Sequence, residues 1–114
     1  MIGNVRQHDE VTVVEVEGRF DSSSAPDIKA ELHELINNGR VQLVINLEGL
    51  EFIDSAGLGV LVSCLRRAAA EGGDLRVAEV PPFCRSIFEL TRLTRVFDVT
   101  ESEDEAIEAI KGKQ

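Results

Sequence analysis

The sequence predicts an α/β domain built on a mixed, mostly parallel sheet of four to five strands with about four helices. Short runs of β-branched and aliphatic residues alternate with longer segments whose apolar residues recur at helical spacing. Residues 41–47 are almost continuously apolar, which is typical of a strand buried on both faces among parallel neighbours. A short polar turn separates the first two strands, and this spacing predicts an antiparallel hairpin at the sheet edge.

The N-terminal hairpin precedes everything else in the predicted order. A first strand starts near Val5 and is followed by a polar turn at 8–10. The second strand, at 11–17, ends in valines that alternate with glutamates, as in a half-buried strand. Residues 18–21 then lead away from this strand.

The first helix begins where Ser24 is placed as a cap with Asp27 three positions on. Asn38 and Gly39 predict its end. Its buried stripe is predicted to consist of Ala25, Ile28, Leu32, Leu35 and Ile36.

Three further helices are predicted. The first begins at Ser55 and stops at 72–73, the second opens at 81–82, and the third begins with a capping box formed by Ser102 and Glu105. The other predicted elements are strands at 75–78 and 96–99 and a loop at 91–95. The predicted core residues are Leu58, Leu61, Val62 and Leu65 in the first helix, Phe83, Ile87 and Phe88 or Leu90 in the second, and Ala106, Ile107 and Ile110 in the third.

Size and composition predict one domain over residues 1–114, with its core at about 5–110. Hydrophobic residues make up 43% of the chain, with five Phe and no Trp or Tyr, so the core is aliphatic. Cys64 and Cys84 have apolar neighbours and are expected to be buried free thiols. His8 and His33 have no metal-ligand spacing.

The formal net charge of −9, from 12 Lys and Arg against 21 Asp and Glu, excludes the basic footprint that nucleic acid or an anionic membrane requires. No apolar run approaches the ~20 residues of a membrane-spanning helix. The first residues do not resemble a signal peptide. We therefore expect a cytoplasmic protein that binds neither nucleic acid nor membrane.

Ser55 lies between an apolar strand and a helical pattern, preceded by Asp54 and followed by Gly57 and Gly59. Its hydroxyl can accept a hydrogen bond from a free N–H of the first helical turn, as a cap does. A phosphate on the same oxygen would lie at the positive end of the helix dipole. A plain cap and a phosphorylation switch are both compatible with this position.

Enzyme chemistry has little support in the sequence. A nucleophile elbow needs glycine two positions before the serine, where this chain has Ile53, and both histidines precede Ser55. A dinucleotide fingerprint would need glycine at Val62. Asp21 and Asp54 can in principle bind a divalent cation, but aspartates beside glycine-rich turns are more typical of caps. We predict no catalytic residue, no metal site and no cofactor.

Residues 54–59 (DSAGLG), together with the strand before them, resemble the signature of the STAS family, and more closely that of the bacterial anti-sigma factor antagonists. Residues 18–26 (GRFDSSSAP) resemble the family's loop before its first helix. Residues 89–93 (ELTRL) are similar, more weakly, to its turn after the third helix. The order of elements also agrees, so the resemblance covers nearly the whole chain.

By motif position, the resemblance implies that Ser55 is the serine phosphorylated with ATP by a partner anti-sigma factor, and that Asp54 helps to shape this loop. It also implies that Asp21 lies nearby, at the end of the neighbouring strand. Many relatives have Ser or Thr where this chain has Ala56, so a competing hydroxyl is absent. The expected partner-binding residues are Asp21, Ser22, Ser23, Asp54, Ser55, Ala56, Gly57, Leu58 and Gly59.

The resemblance implies partner switching. The unmodified protein binds an anti-sigma factor that is also a serine kinase and thereby releases a sigma factor. Phosphorylation of Ser55 ends the complex, and a Mg- or Mn-dependent serine phosphatase restores the unmodified form. A second role also fits the resemblance, in which the same surface docks constitutively in a transport or signalling complex without a phospho-switch.

Overall fold

A computed structural model describes residues 1–112 of the chain. The strands are β1 (Ile2–His8), β2 (Val11–Val16), β3 (Gly18–Phe20), β4 (Gln42–Asn46), β5 (Leu50–Ile53), β6 (Asp74–Ala78) and β7 (Asp98–Thr100). The helices are α1 (Ala25–Asn37), α2 (Ser55–Ala70), α3 (Pro82–Leu90) and α4 (Glu103–Gly112).

The main sheet has five strands in the order β1-β2-β4-β6-β7. Only β1 runs antiparallel to its neighbour, and the other three pairings are parallel. This confirms the predicted mixed, mostly parallel sheet with a hairpin at its edge. Strand β1 begins earlier than predicted because Ile2 pairs with Val16 and the N–H of Glu17 donates to the carbonyl of Met1 at 2.7 Å.

The prediction that β2 is half-buried was wrong, because the strand is buried on both faces. Val14 and Val16 belong to the larger core, on the side of α1 and α2. Val11 and Val13 belong to a smaller cluster with residues of α4. Helix α4 covers the sheet face that the valine–glutamate alternation had assigned to solvent.

A two-stranded parallel sheet, formed by β3 and β5, was not predicted. Gly18, with φ at +74°, turns the chain out of the main sheet, and its N–H donates to the carbonyl of Gly49 at 2.9 Å. The buried side chains of Phe20 and Ile53 anchor the small sheet to the larger core. This sheet carries the chain into both α1 and α2.

The core face of α2 differs from the prediction, since Leu61 alone of the four predicted residues is fully buried. Leu58, Val62 and Leu65 are partly buried at the rim of the core. The residues that face the core are Gly57, Val60, Leu61, Cys64 and Ala68. The small residues among them, Gly57, Cys64 and Ala68, let α2 lie close to the sheet.

Helix α3 buries Cys84 and Phe88, whereas Phe83 and Leu90 are 40% and 84% exposed. Of the predicted apolar face, Phe88 is confirmed as the alternative to Leu90 and Ile87 packs against the core, whereas the prediction for Phe83 was wrong. The segment predicted as a loop contains a 3₁₀ turn at Leu93–Arg95. Phe97 precedes β7 rather than lying within it and stacks on Phe88, with ring centroids 6.0 Å apart.

The predicted start and the predicted buried residues of α4 are confirmed, with one of the two bonds of a capping box. The Ser102 hydroxyl accepts a hydrogen bond from the N–H of Glu105 at 3.1 Å, which begins the helix. Its buried residues are Ala106, Ile107 and Ile110.

Both cysteines are free and buried, as predicted. Burial raises the pKa of the Cys64 thiol and of the Cys84 thiol to about 11. Within the described part of the chain, no helix is both long and apolar enough to cross a membrane.

Candidate functional site

The ends of β3 and β5 and the start of α2 meet at one place. Phe20 pairs with Ile53 at the ends of the two strands, and the N–H of Asp54 donates to the carbonyl of Phe20 at 3.3 Å. Because the strands are parallel, Asp21 and Asp54 leave the small sheet at the same end. The fold thus brings the loop before α1 next to the start of α2.

Asp54 is the cap of α2. Its backbone is extended, with φ −122° and ψ −170°, and its carboxylate accepts from the N–H of Ala56 at 2.9 Å and of Gly57 at 3.2 Å. Two of the free donors of the first turn are thereby satisfied. The interpretation of Ser55 as the cap was wrong, because α2 begins at Ser55, one residue earlier than a Ser55 cap would require.

Ser55 is instead the first residue of α2 and is exposed to solvent. Within the described part of the chain, its hydroxyl makes no hydrogen bond with another protein group. The side chain is therefore accessible and is not needed to begin the helix.

Gly57 and Gly59 have opposite surroundings. A Cβ on Gly57 would lie 2.4 Å from the carbonyl oxygen of Phe20 and 2.9 Å from Cγ1 of Ile53, so only glycine lets α2 approach β3 this closely. A Cβ on Gly59 would meet no heavy atom within 4 Å. Packing within the chain explains Gly57 and leaves Gly59 unexplained.

Asp21 organises the loop before α1. One carboxylate oxygen, Oδ1, accepts from the N–H and hydroxyl of Ser23 and from the N–H of Ser24. The other oxygen, Oδ2, accepts from Nε of Arg19 at 3.2 Å. The Ser23 hydroxyl, followed by Arg19 and the two backbone N–H groups, lowers the pKa of Asp21 to about 2.

Ser24 precedes α1, as predicted, but its side chain does not cap the helix. Its hydroxyl donates to the carbonyl of Arg19 at 2.7 Å and accepts from the N–H of Asp21 at 3.0 Å. These bonds close the loop on itself. Asp21 therefore takes the organising role that the sequence had assigned to Ser24.

The other predicted site residues lie around this centre. Ser22 and Ser23 are exposed in the loop before α1. Ala56 and Leu58 are half-buried at the start of α2. The structure thus places all nine predicted residues in two adjoining segments, 21–23 and 54–59.

Arg19 and Phe52 form a contact beside the site that was not predicted. The guanidinium carbon of Arg19 lies 4.2 Å from the centroid of the Phe52 ring, as in a cation–π interaction. Buried Phe20 lies between Arg19 and Asp21, and buried Ile53 follows Phe52. Two paired buried residues beside two exposed ones form two short strands with one exposed face, but segments of three and four residues are too short for this pattern to be recognised in the sequence.

The histidines lie elsewhere. Nε2 of His33 is 3.5 Å from the hydroxyl of Ser63, between α1 and α2, and Nε2 of His8 is 3.4 Å from Nη1 of Arg6. Burial, together with the positive charges of Arg67 and Lys29, lowers the pKa of His33. Neither ring contacts Ser55. Within residues 1–112, no group of three or more His, Cys, Asp or Glu side chains has the geometry to hold a metal ion.

The fold and the site define a small α/β domain with a serine and two aspartates at the ends of a two-stranded parallel sheet. The family model of the STAS domain matches residues 4–106. The chain therefore belongs to the STAS domain family.

The similarity to known members of this family covers most of each relative's length. The anti-sigma F factor antagonist of Lysinibacillus sphaericus is 31% identical over 105 residues, which cover 90% of this chain and 88% of that protein. The crystal structure of an anti-sigma factor antagonist from Mycobacterium paratuberculosis has a TM-score of 0.87 and 30% identity, covering 97% of this chain and 95% of that one. The Bacillus cell fate determinant SpoIIAA in its phosphorylated form has a TM-score of 0.73 and 24% identity, covering 96% and 99%, and this likeness shows the fold.

Proposed function

We propose that this chain is an anti-sigma factor antagonist. In this proposal its unmodified form binds an anti-sigma factor that is also a serine kinase, and the sigma factor is released. Membership of the STAS family and the similarity to anti-sigma factor antagonists support the general role. The docking face consists of residues 21–23 and 54–59.

The observation that carries the proposal is that Asp54 and Ser55 have separate roles at the start of α2. Asp54 supplies the cap of α2, so the fold does not use the exposed Ser55 hydroxyl. A kinase can reach such a hydroxyl without unfolding the helix. Its phosphorylation can therefore control binding while the fold remains intact.

Gly59 and Leu58 support a docking role for the surrounding surface. Gly59 lies inside α2, where glycine costs about 0.5–1 kcal/mol relative to alanine, and no neighbour within the chain requires it. A partner that approaches the helix backbone closely would account for it. Leu58 is half-buried one position before it and supplies apolar area at the centre of the face.

The proposed switch is a phosphoryl transfer from ATP. The oxygen of the Ser55 hydroxyl forms a bond to the γ-phosphorus, the bond from that phosphorus to ADP breaks, and the hydroxyl proton is released. A Mg- or Mn-dependent serine phosphatase reverses the change, because water attacks the phosphorus, inorganic phosphate leaves and Ser55 regains a proton. The kinase and the phosphatase supply the catalytic groups, and this chain is their cytoplasmic substrate.

Electrostatics explain why the modified form would not dock. Phosphate adds a charge of about −1.5 to −2 at pH 7 beside Asp21 and Asp54. Burying this charge under a partner without a matching cation costs several kcal/mol. The N-terminus of α2 returns only about 0.3–1 kcal/mol. The formal net charge of −9 also favours encounter with a basic partner surface.

A pull-down from extract of the native cells, with and without ATP, tests the proposal. The baits are wild type, Ser55→Ala and Ser55→Asp, and mass spectrometry locates phosphate on recovered wild type. We expect wild type and Ser55→Ala to capture a kinase of the anti-sigma factor type, Ser55→Asp to lose it by at least tenfold, and phosphate to be found on Ser55 only when ATP is present.

Asn38→Asp is the matched control, because it adds one negative charge at the exposed C-terminal end of α1, away from Ser55. It should bind like wild type. Equal capture of one non-kinase partner by all four baits, with Ser55 unmodified, would instead establish constitutive docking in a transport or signalling complex.

A further inference from the structure

Arg19 is a cation held beside the start of α2 by two weak contacts. Its side chain is 63% exposed, its Nε bonds to Asp21, and its guanidinium lies over Phe52. An exposed ion pair of this kind contributes little to stability. Arg19 can therefore exchange partners at small cost.

The strand register places Arg19 on the face that leads to Ser55. Arg19 pairs with Phe52, while the next pair, Phe20 and Ile53, is buried. Because successive side chains alternate, Arg19, Asp21 and Phe52 share the exposed face. The bond to Asp21 draws the guanidinium towards the ends of the parallel strands, where α2 begins. Three residues of extended chain from Phe52 to Ser55 span at most about 11 Å.

The carboxylates of the site do not depend on Arg19. Asp54 is engaged with the N–H groups of Ala56 and Gly57. Asp21 retains its three bonds from Ser23 and Ser24, all through Oδ1, when the single bond from Arg19 to Oδ2 is broken. Releasing the guanidinium thus leaves the loop and the helix cap in place.

A phosphate on Ser55 would be a better acceptor than either present contact of Arg19. Arginine binds phosphate through two parallel N–H···O bonds, which are stronger than one bond from Nε. The bond to Asp21 uses Nε, so the two terminal nitrogens remain for a new acceptor. Asp21 and Asp54 also surround the phosphate with negative charge, which increases the benefit of a nearby cation.

We propose, on the basis of the phosphorylation of Ser55 proposed above, that Arg19 is the counter-cation of the phosphorylated site and leaves Asp21 and Phe52 to bind the phosphate. Phosphorylation then changes the protein surface in two ways, because it adds the phosphate to the docking face and uncovers the Phe52 ring beside that face. The partner would respond both to the new charge and to the loss of the contact between Arg19 and Phe52.

The test uses chain carrying phosphoserine at position 55 through genetically encoded incorporation, so no kinase is needed. ³¹P NMR follows the second ionisation of the phosphate between pH 4 and pH 8 in the Arg19 parent, Arg19→Gln and Arg19→Lys. We expect Arg19→Gln to raise the midpoint by about 0.2–0.7 of a pH unit, the range of an exposed ion pair. Arg19→Lys keeps the charge but cannot form two parallel hydrogen bonds, so its midpoint should lie between those of the parent and Arg19→Gln.

Arg40→Gln is the control, because it removes the same charge from an exposed loop at the opposite ends of the parallel strands. It should leave the midpoint at the parent value. In ¹H–¹⁵N and ¹H–¹³C spectra, phosphoserine should move the Nε–H signal of Arg19 and the ring signals of Phe52.

Equal midpoints in the parent and Arg19→Gln, or equal shifts from Arg19→Gln and Arg40→Gln, would overturn the role of Arg19. These outcomes concern the isolated chain only. The proposed function fails separately, when the partner binds the modified and unmodified forms equally.

Discussion

The carboxylate of Asp54 accepts a hydrogen bond from the backbone N–H of Ala56 at 2.9 Å, and this bond begins α2 while bypassing the serine between the two residues. Structural and regulatory roles at the start of α2 are thus carried by adjacent side chains. The two roles can be separated by mutation.

Asp54→Ala should lower the free energy of unfolding by about 0.5–2 kcal/mol, the usual cost of losing a cap. Ser55→Ala should change it by less than about 0.5 kcal/mol, since Ser55 is exposed and does not cap the helix. Urea denaturation of both variants and wild type at pH 7 measures the difference. A larger loss in Ser55→Ala than in Asp54→Ala would show that the hydroxyl, and not the carboxylate, holds the helix start.

Gly57 and Gly59 form a matched pair of glycines two positions apart in α2. Gly57→Ala should destabilise the protein by about 1–3 kcal/mol, because the new methyl group overlaps the carbonyl of Phe20. Gly59→Ala should stabilise it by about 0.5–1 kcal/mol, because alanine favours the helix and nothing lies in its way. Thermal and urea unfolding of the two variants measure the sign of each change in the free energy of unfolding. A stabilising effect of Gly57→Ala would refute the close approach of α2 to β3.

The sequence was sufficient to predict an element and its buried residues wherever the element is long and packs against segments close to it in the chain. The apolar stripe of α1 and the continuous run of β4 were predicted because periodicity reports burial directly. The second buried face of β2 was not predictable in this way, since it is covered by α4, which follows some ninety residues later. β3 and β5 have only three and four residues, too few for a period-2 pattern to stand out.

At the candidate site, the sequence did not identify which residue caps α2. Asp54 and Ser55 are both good cap residues, so composition alone did not decide between them. The decision rests on where β5 ends, which the hydrogen bond from Asp54 to Phe20 fixes. In the same way, the bonds between Asp21 and Ser23 that replace the predicted Ser24 cap depend on the three-dimensional path of the loop.

Asp21 should make stability depend on pH. Its pKa is about 2 in the folded chain, against an ordinary value of 3.8, so the folded state binds the proton less readily than the unfolded state. The stabilisation is complete above about pH 4 and is lost as the pH falls through 2. The difference in melting temperature between wild type and Asp21→Asn should therefore be constant from pH 7 to about pH 5 and shrink below pH 4.

Ser23→Ala provides the control for this titration, because the Ser23 hydroxyl makes the largest contribution to lowering the pKa of Asp21. The carboxyl signal of Asp21 in ¹³C NMR should titrate at a higher pH in Ser23→Ala than in wild type. An unchanged midpoint would show that Arg19 and the backbone N–H groups hold the carboxylate without the Ser23 hydroxyl.

Arg6 and Glu103 join the edge strand β1 to the start of α4. The guanidinium donates to both carboxylate oxygens of Glu103, at 2.9 and 2.5 Å, and Asn46 donates to the same carboxylate at 3.0 Å. Arg6, followed by Asn46, lowers the pKa of Glu103. In a double-mutant cycle, Arg6→Ala and Glu103→Ala should show a coupling energy of about 1–2 kcal/mol at pH 7, a charged hydrogen-bond value reduced by the partial exposure of Arg6.

The same cycle at acid pH separates a charge effect from packing. Because the pKa of Glu103 is lowered in the folded chain, the stabilisation is present above its ordinary value of 4.5 and is lost as the pH falls through the folded value. The coupling energy should therefore decrease towards zero once Glu103 is protonated. A coupling that stays constant down to the acid transition would mean that Arg6 stabilises α4 through contacts of its hydrocarbon chain, and the ion pair would then not explain how β1 and α4 are joined.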